Sequence, residues 1–195
     1  MQMPCPLILG STSVYRRALL QRLNMPFEVV KPEVDETPLP GEAPAQLALR
    51  LALAKARAVA HQHPNAFVIG SDQVVDLNGE CLGKPLTHLN AVAQLQRMRG
   101  HHLVFHSALA VVHANRQHEE VRDVITRVQF RMISDEAIER YLHQEQPYDC
   151  AGSAKSEGLG IALTQAIHSD DPTALIGLPL IALCDMLRNV GFELP

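Results

Sequence analysis

The stretch Ile8-Leu9-Gly10-Ser11-Thr12-Ser13-Val14-Tyr15-Arg16-Arg17 constrains the fold of this chain more than any other. An apolar run stops at Gly10, hydroxyl residues flank Thr12, and a pair of arginines follows. Ala18, Leu19, Leu20 and Leu23 then recur at helical spacing, which predicts a strand, a tight turn and a helix. Ser13 is the expected N-cap. The unpaired amides of the first helical turn carry partial positive charge, so such a turn is a ready anion site. Arg16 adds a fork of donors suited to phosphate. Ser-x-Ser plus Arg also occurs at ordinary helix starts, so the rest of the chain has to decide.

With 195 residues, 47% of them hydrophobic, the chain has material for one large domain or two small lobes. Its net charge of -4 argues against a broad nucleic-acid footprint, which needs clustered Lys and Arg. No apolar run approaches membrane-spanning length. The sequence opens without a charged lead and a signal-type core. Cys5, Cys81, Cys150 and Cys184 are scattered with no C-x-x-C pair and are expected as reduced thiols. A cytoplasmic location is the expectation.

Phe27 to Val30 predicts a short strand, followed by Lys31-Pro32-Glu33-Val34-Asp35-Glu36-Thr37-Pro38, where prolines forbid regular structure. Pro44 opens a helix to about His61 that carries Lys55 in its second half. Ala66 to Ile69 is expected as a buried strand ending in Gly70-Ser71-Asp72-Gln73. Val74 to Leu82 predicts a hairpin turning at Asn78-Gly79, and Gly83-Lys84-Pro85 leads to a helix from His88 to Met98 capped by Thr87. His102–His113 and Val121–Arg131 are expected as a long antiparallel hairpin. Ser134 caps a helix to about Gln144, Gln146 to Gly160 reads as loop, and a last helix ends near Asn189. The pattern is α/β: a mixed sheet flanked by helices, as two lobes around a central cleft.

Asp72, just after a buried strand, is a candidate base or metal ligand, although most turn aspartates merely cap their own backbone. Asp35 and Glu36 offer further oxygen ligands. Lys55 and Lys84 alone pass for ordinary lysines, but with Arg16 they would clamp a polyphosphate whose metal sits on Asp72 and Glu36. Ten histidines invite a zinc reading, yet the nearest pairs, His61-x-His63 and His101-His102, lack clear partners and no H-E-x-x-H occurs. Cys150 reads as a small buried thiol rather than a nucleophile. There is no Walker loop and no dinucleotide fingerprint.

Seven ordered segments nevertheless resemble the Maf-type nucleotide pyrophosphatases: Ile8 to Arg17, Val34-Asp35-Glu36, Lys55-Ala56, Gly70 to Gln73, Gly83-Lys84-Pro85, Pro147 to Gly152 and Ile176 to Pro179. They span nearly the whole chain, 1–195, taken as one Maf-like domain. Gly10 stands where that family usually has Ala. The resemblance implies an inosine-triphosphatase-like fold, often dimeric, and metal-assisted hydrolysis of a nucleoside triphosphate to the monophosphate and pyrophosphate. It implies Asp72 as proton acceptor, with Ser11, Arg16, Lys55 and Lys84 on the phosphates. Glu36 and Asp72 would hold a divalent cation, with Mg²⁺, Mn²⁺ and Co²⁺ all suited to oxygen ligands.

The branch most like this chain acts on 7-methyl-GTP, and its distinguishing positions match Tyr15, Gln73 and Glu157. A base methylated at N7 is cationic and gains from an electron-rich face such as Tyr15, where the branch usually has Trp. A carboxylate such as Glu157 accepts both donors of the guanine edge. Gln73, able to donate and accept, discriminates less. A pyrophosphatase for dTTP or UTP is the nearest alternative, though its branch places Arg at the position of Tyr15. The other is a nucleotide-binding regulator of cell division that needs occupancy and not turnover. No nucleic-acid polymer or membrane is expected as a partner.

Overall fold

In a computed structural model, which describes residues 5–195, the apolar run at the start of the chain is a buried strand, β1 (Leu7–Leu9), and α1 (Val14–Gln21) follows it after a turn. Ser13 Oγ accepts from the Arg16 amide at 3.3 Å, the expected cap. The chain continues through β2 (Glu28–Val29), α2 (Pro44–Gln62), β3 (Phe67–Leu77), β4 (Glu80–Leu82), α3 (His88–Met98), β5 (His102–His113), β6 (His118–Phe130), α4 (Asp135–Glu145), β7 (Thr164–His168) and α5 (Leu180–Asn189). The sheet order is β2-β1-β3-β5-β6-β7, with β4 also on β3. β1 pairs in parallel with β2 and β3, and the remaining pairings are antiparallel. This is the expected mixed sheet flanked by helices. No described helix is long and apolar enough to cross a membrane.

Local signals held where the chemistry is local. Asn78 and Gly79 both take positive φ (56° and 89°), as a tight two-residue hairpin turn requires. Thr87 and Ser134 cap α3 and α4 through their hydroxyls. Two elements differ from expectation. β7 lies in a stretch with no strand signal, and β3 does not stop at Ile69 but runs on to Leu77. β5 hydrogen-bonds β3 from Val68 to Asp76, so the Gly-Ser-Asp-Gln motif is carried inside a strand.

That continuation shapes the molecule. Phe67, Ile69, Val75 and Leu77 share one face of β3, because side chains alternate. Phe67 and Ile69 pack with Leu19, Leu20, Leu183 and Met186 of α1 and α5. Val75 and Leu77 pack with Leu95, Met98, Ile138 and Leu142 of α3 and α4. Ser71 and Gln73 lie between these two helix groups. The opposite face, with Val68, Val74, Ala108 and Ala110, is covered by α2.

The edge of β3 is also divided. β1 pairs with Phe67–Ile69 and β4 with Val75–Leu77, which leaves residues 70–74 without a strand neighbour on that side. β1 runs parallel to β3 and leads into Gly10 and Ser11. β4 runs antiparallel and leads into Gly83 and Lys84. The two connections therefore enter the gap from opposite ends, with Asp72 between them.

Candidate active site

Gly70 sets the depth of the site. A β-carbon there would lie 2.2 Å from the Ala52 carbonyl oxygen and 2.7 Å from the Ala56 amide nitrogen, so only glycine lets α2 pack this close. The close approach brings Lys55 of α2 over Asp72, two residues further along the same face of β3. Lys55 Nζ lies 2.6 Å from Asp72 Oδ1 and 2.9 Å from Glu36 Oε1. Lys55 and Asp72 are both buried, whereas Glu36 reaches in from an exposed loop.

Other contacts brace that loop. Asp35 Oδ1 accepts from the Thr37 amide at 2.9 Å. Arg50 donates to Glu42 at 2.5 and 2.7 Å and to the Thr37 carbonyl at 3.1 Å. Hydrogen bonding to Arg50, with the Leu39 amide and the Arg50 charge adding to it, draws the Glu42 carboxyl down to about 2.

On the other face, Arg16 Nε donates to the Gly177 carbonyl at 2.8 Å, and Ser71 Oγ donates to the same oxygen at 2.9 Å. Gly177 takes φ +118°, a conformation that side chains rarely adopt, and this turns its carbonyl toward both donors. Burial lowers the pKa of the Arg16 guanidinium, while the charges of Asp72 and Glu36 raise it. Arg16 therefore lies in the field of both carboxylates. Ser11 is buried and its Oγ accepts from the Ser13 amide at 3.2 Å.

Gln73 Nε2 donates toward Ser107 Oγ, the Ala174 carbonyl and the Leu175 carbonyl at 2.9, 3.0 and 3.1 Å. The two carbonyls require a donor, which fixes the orientation of the amide. Asp171, 2% exposed, accepts from the Thr173 amide and hydroxyl and from the Ile181 amide at the start of α5. The 171–180 connection, including the Gly177 carbonyl that holds Arg16, is thus tied to β3, β5 and α5.

Tyr15 is half-buried on the first turn of α1. Lys155 Nζ stands 5.9 Å from the centroid of its ring, within cation–π range, and also pairs with Glu145 at 2.7 Å. Burial raises the Tyr15 phenol well above its ordinary range, and the charges of Asp149 and Glu157 add to this. Cys150 Sγ lies 3.9 Å from the Tyr15 hydroxyl and 3.6 Å from Asp149. Burial and Asp149 push the thiol up to about 12, so it is not a nucleophile near neutral pH. Glu157 is exposed on the wall of a cavity of about 270 Å³, together with Thr126, Ser156, Ile167, Leu175 and Ile176. A larger hollow of about 550 Å³, on the outer side of α1 among Arg17, Gln21, Phe27 and Val29, contains none of the expected site residues.

The structure therefore brings Glu36, Lys55 and Asp72 together, places Arg16 near them through Gly177, and sets Glu157 in the cavity beyond the 174–177 loop. Lys84 does not join them. It is exposed and has no hydrogen bond or ion pair among the described residues, although its loop is docked where the Gly83 carbonyl accepts from the Gly152 amide and from Gln94. Asp72 lies within a strand and not after one. Arg50, Ser71, Ser107, Asp171, Thr173 and Lys155 were not foreseen. Asp171-x-Thr173 carried a turn signal, but nothing local tied the others to the site. Zinc was not expected at the His61-x-His63 or His101-His102 pairs, and among the described residues the group that does meet is His88, Glu139 and His143.

The family model described as Maf-like protein matches residues 6–190. A protein of Polaromonas sp. named 7-methyl-GTP pyrophosphatase is 64% identical over 189 residues, covering 97% of this chain and 86% of its own length. Proteins with that same name from Aromatoleum aromaticum and Ralstonia nicotianae are 59% and 58% identical, each covering 97% of both chains. On this match, which takes in every site residue described above, the chain belongs to the Maf family.

Proposed function

We propose that this chain hydrolyses 7-methyl-GTP to 7-methyl-GMP and pyrophosphate, with Asp72 accepting a proton from the attacking water. The observation that carries the reading is the convergence of Glu36 and Asp72 on one buried lysine, beside Arg16, at the open edge of β3. Two acids and two cations on a cleft fit a polyanionic substrate and its counter-ion better than a neutral one. The names of the relatives from Polaromonas, Aromatoleum and Ralstonia support the same substrate.

Glu36 and Asp72 fit a hard divalent cation such as Mg²⁺ or Mn²⁺, since both offer carboxylate oxygens that already converge on a single positive group. When bound there, the ion supplies charge neutralisation for the triphosphate. Arg16 and Lys55 bind the phosphate oxygens, with Ser11 and the first amides of α1 at the end of β1 and Lys84 entering from β4. Water adds to phosphorus as the bond between the α- and β-phosphates breaks. The water proton passes to Asp72, and pyrophosphate departs with the bonding electrons. Tyr15 offers its face to the cationic base and Glu157 accepts from the guanine edge. Gln73 supports this pocket by holding the 174–175 carbonyls.

The test is pyrophosphate release from 7-methyl-GTP, GTP, dTTP and UTP with Mg²⁺. The expected result is preference for 7-methyl-GTP, loss of turnover in Asp72→Asn, and a roughly 10-fold fall in kcat/KM for 7-methyl-GTP in Tyr15→Ala with little change for GTP. Preference for dTTP or UTP would overturn the base assignment and leave the phosphate site standing. Full turnover by Asp72→Asn would remove the carboxylate from the chemistry.

A further inference from the structure

Away from β3, the start of α3 meets α4 through three side chains of metal-binding type. His88 opens α3, and Glu139 and His143 occupy one face of α4 at i,i+4 spacing. Their ligand atoms lie within 4.8 Å of one another. His88 Nε2 is 2.8 Å and His143 Nε2 3.7 Å from the same Glu139 oxygen. Tetrahedral zinc with ordinary bond lengths holds its ligand atoms about 3.3 Å apart, a spacing these two distances bracket. The two imidazole rings stand 5.2 Å apart, tilted by 31° to one another.

The surroundings supply the further support that a ligating histidine needs. His88 Nδ1 lies 3.0 Å from the Tyr148 hydroxyl. Without an ion, Nε2 donates to the Glu139 carboxylate; with one bound, a proton on Nδ1 donated to Tyr148 would free the Nε2 lone pair for the metal, and such a partner fixes the ring. Tyr148 is itself held, because its carbonyl accepts from the Leu86 amide at 3.1 Å. His143 is largely exposed, which gives an ion a way in and leaves room for water as a fourth ligand. A plain ion-pair cluster on Glu139 would also bring these groups together, and what separates a metal site from it is the binding of one equivalent of Zn²⁺.

We propose that His88, Glu139 and His143 form a second metal site, specific for zinc-class divalent ions, that clamps α3 onto α4. Two imidazoles and one carboxylate suit Zn²⁺ or Co²⁺ and disfavour Mg²⁺, which demands oxygen ligands and gives up its water reluctantly. The oxygen pair Glu36 and Asp72 has the opposite preference. The site would also steady the Lys84–Thr87 segment, which leads directly into His88 and is tied to Tyr148 through Leu86.

The test is Zn²⁺ binding to the chelator-treated full chain in excess Mg²⁺, by calorimetry and by thermal shift. One equivalent is expected to bind and to raise Tm by on the order of 5 °C at saturation. His143→Ala, a change at an exposed side chain that leaves the fold intact, should weaken binding by roughly 100-fold, and Tyr148→Phe by about 10-fold. Glu36→Gln should keep the equivalent. No tight Zn²⁺ in the unaltered chain, or the same affinity in His143→Ala, would overturn the site. So would loss of the Zn²⁺ in Glu36→Gln, which would place the ion in the cleft.

Discussion

At Lys55 the structural and chemical demands on one side chain can be separated. Its ammonium and the Asp72 carboxylate are 7% and 11% exposed, so each depends on the other for charge balance. Removing one partner of such a pair leaves an uncompensated charge and costs about 3 kcal/mol, whereas replacing both with apolar groups is often nearly neutral. Lys55→Met is therefore expected to lower Tm by on the order of 5–10 °C. The double variant Lys55→Met/Asp72→Leu should recover most of that loss, and neither protein should release pyrophosphate. Thermal denaturation of the single and double variants checks this. A double variant as unstable as the single would show that packing, not charge, makes Lys55 important. Glu36 contributes little to the fold in this account, because it is more than half exposed. Its neutralisation should cost turnover and leave Tm in place.

Between elements, the decisive contact is the packing of α2 against β3 at Gly70. Gly70→Ala would drive a β-carbon into the Ala52 carbonyl and the Ala56 amide, both backbone groups that cannot rotate away. A loss of roughly 1–3 kcal/mol follows, and activity should fall further than stability because α2 carries Lys55 away from Asp72. Tm and turnover measured on the same sample test it; an Ala variant equal to the original in both would refute the packing. The loop ahead of α2 adds a pH dependence. Glu42 is depressed to about 2 in the folded chain, so its contribution is present above the ordinary carboxylate range and is lost as pH falls from about 4.5 toward 2. Glu42→Gln is expected to flatten that part of the Tm–pH curve. How much of this could be read from sequence depends on range. Ser13, Thr87, Ser134 and the Asn78-Gly79 turn were legible because each acts on its own neighbours. Glu36, Lys55 and Asp72 were joined with Arg16 and Lys84 as a conjectured polyphosphate clamp, to which the resemblance then gave roles. The continuation of β3 depended on β5, and β7 on β6, which no local window contains. Arg50, Asp171 and Lys155 act through partners that only the folded chain brings near.

For the molecule as a whole, the proposed function makes the interrupted edge of β3 the feature that turns a sheet into a binding device. β1 stops at Leu9 and β4 at Leu82, opposite Ile69 and Val75, so the gap extends over about 20 Å of strand. That is long enough for a nucleotide with its phosphates extended. The two sides are built differently. Ser11 and Arg16 are fixed in advance by Ser13, Gly177 and α1, so that side needs no reorganisation to meet an anion. Lys84, on the other side, is exposed and without a partner among the described residues, so its charge is available and its loss costs the fold nothing measurable. A clamp with one rigid jaw and one free cation places the free cation's contribution in the bound complex alone. Lys84→Ala should accordingly lower kcat/KM by roughly 10- to 100-fold, as expected for a charge-assisted contact to phosphate, with Tm unchanged within about 1 °C. The same variant should weaken pyrophosphate as a product inhibitor, since the departing group carries the contact with it. If kcat/KM holds while Tm falls, Lys84 serves the fold, and the polyphosphate lies against β1 and α2 alone.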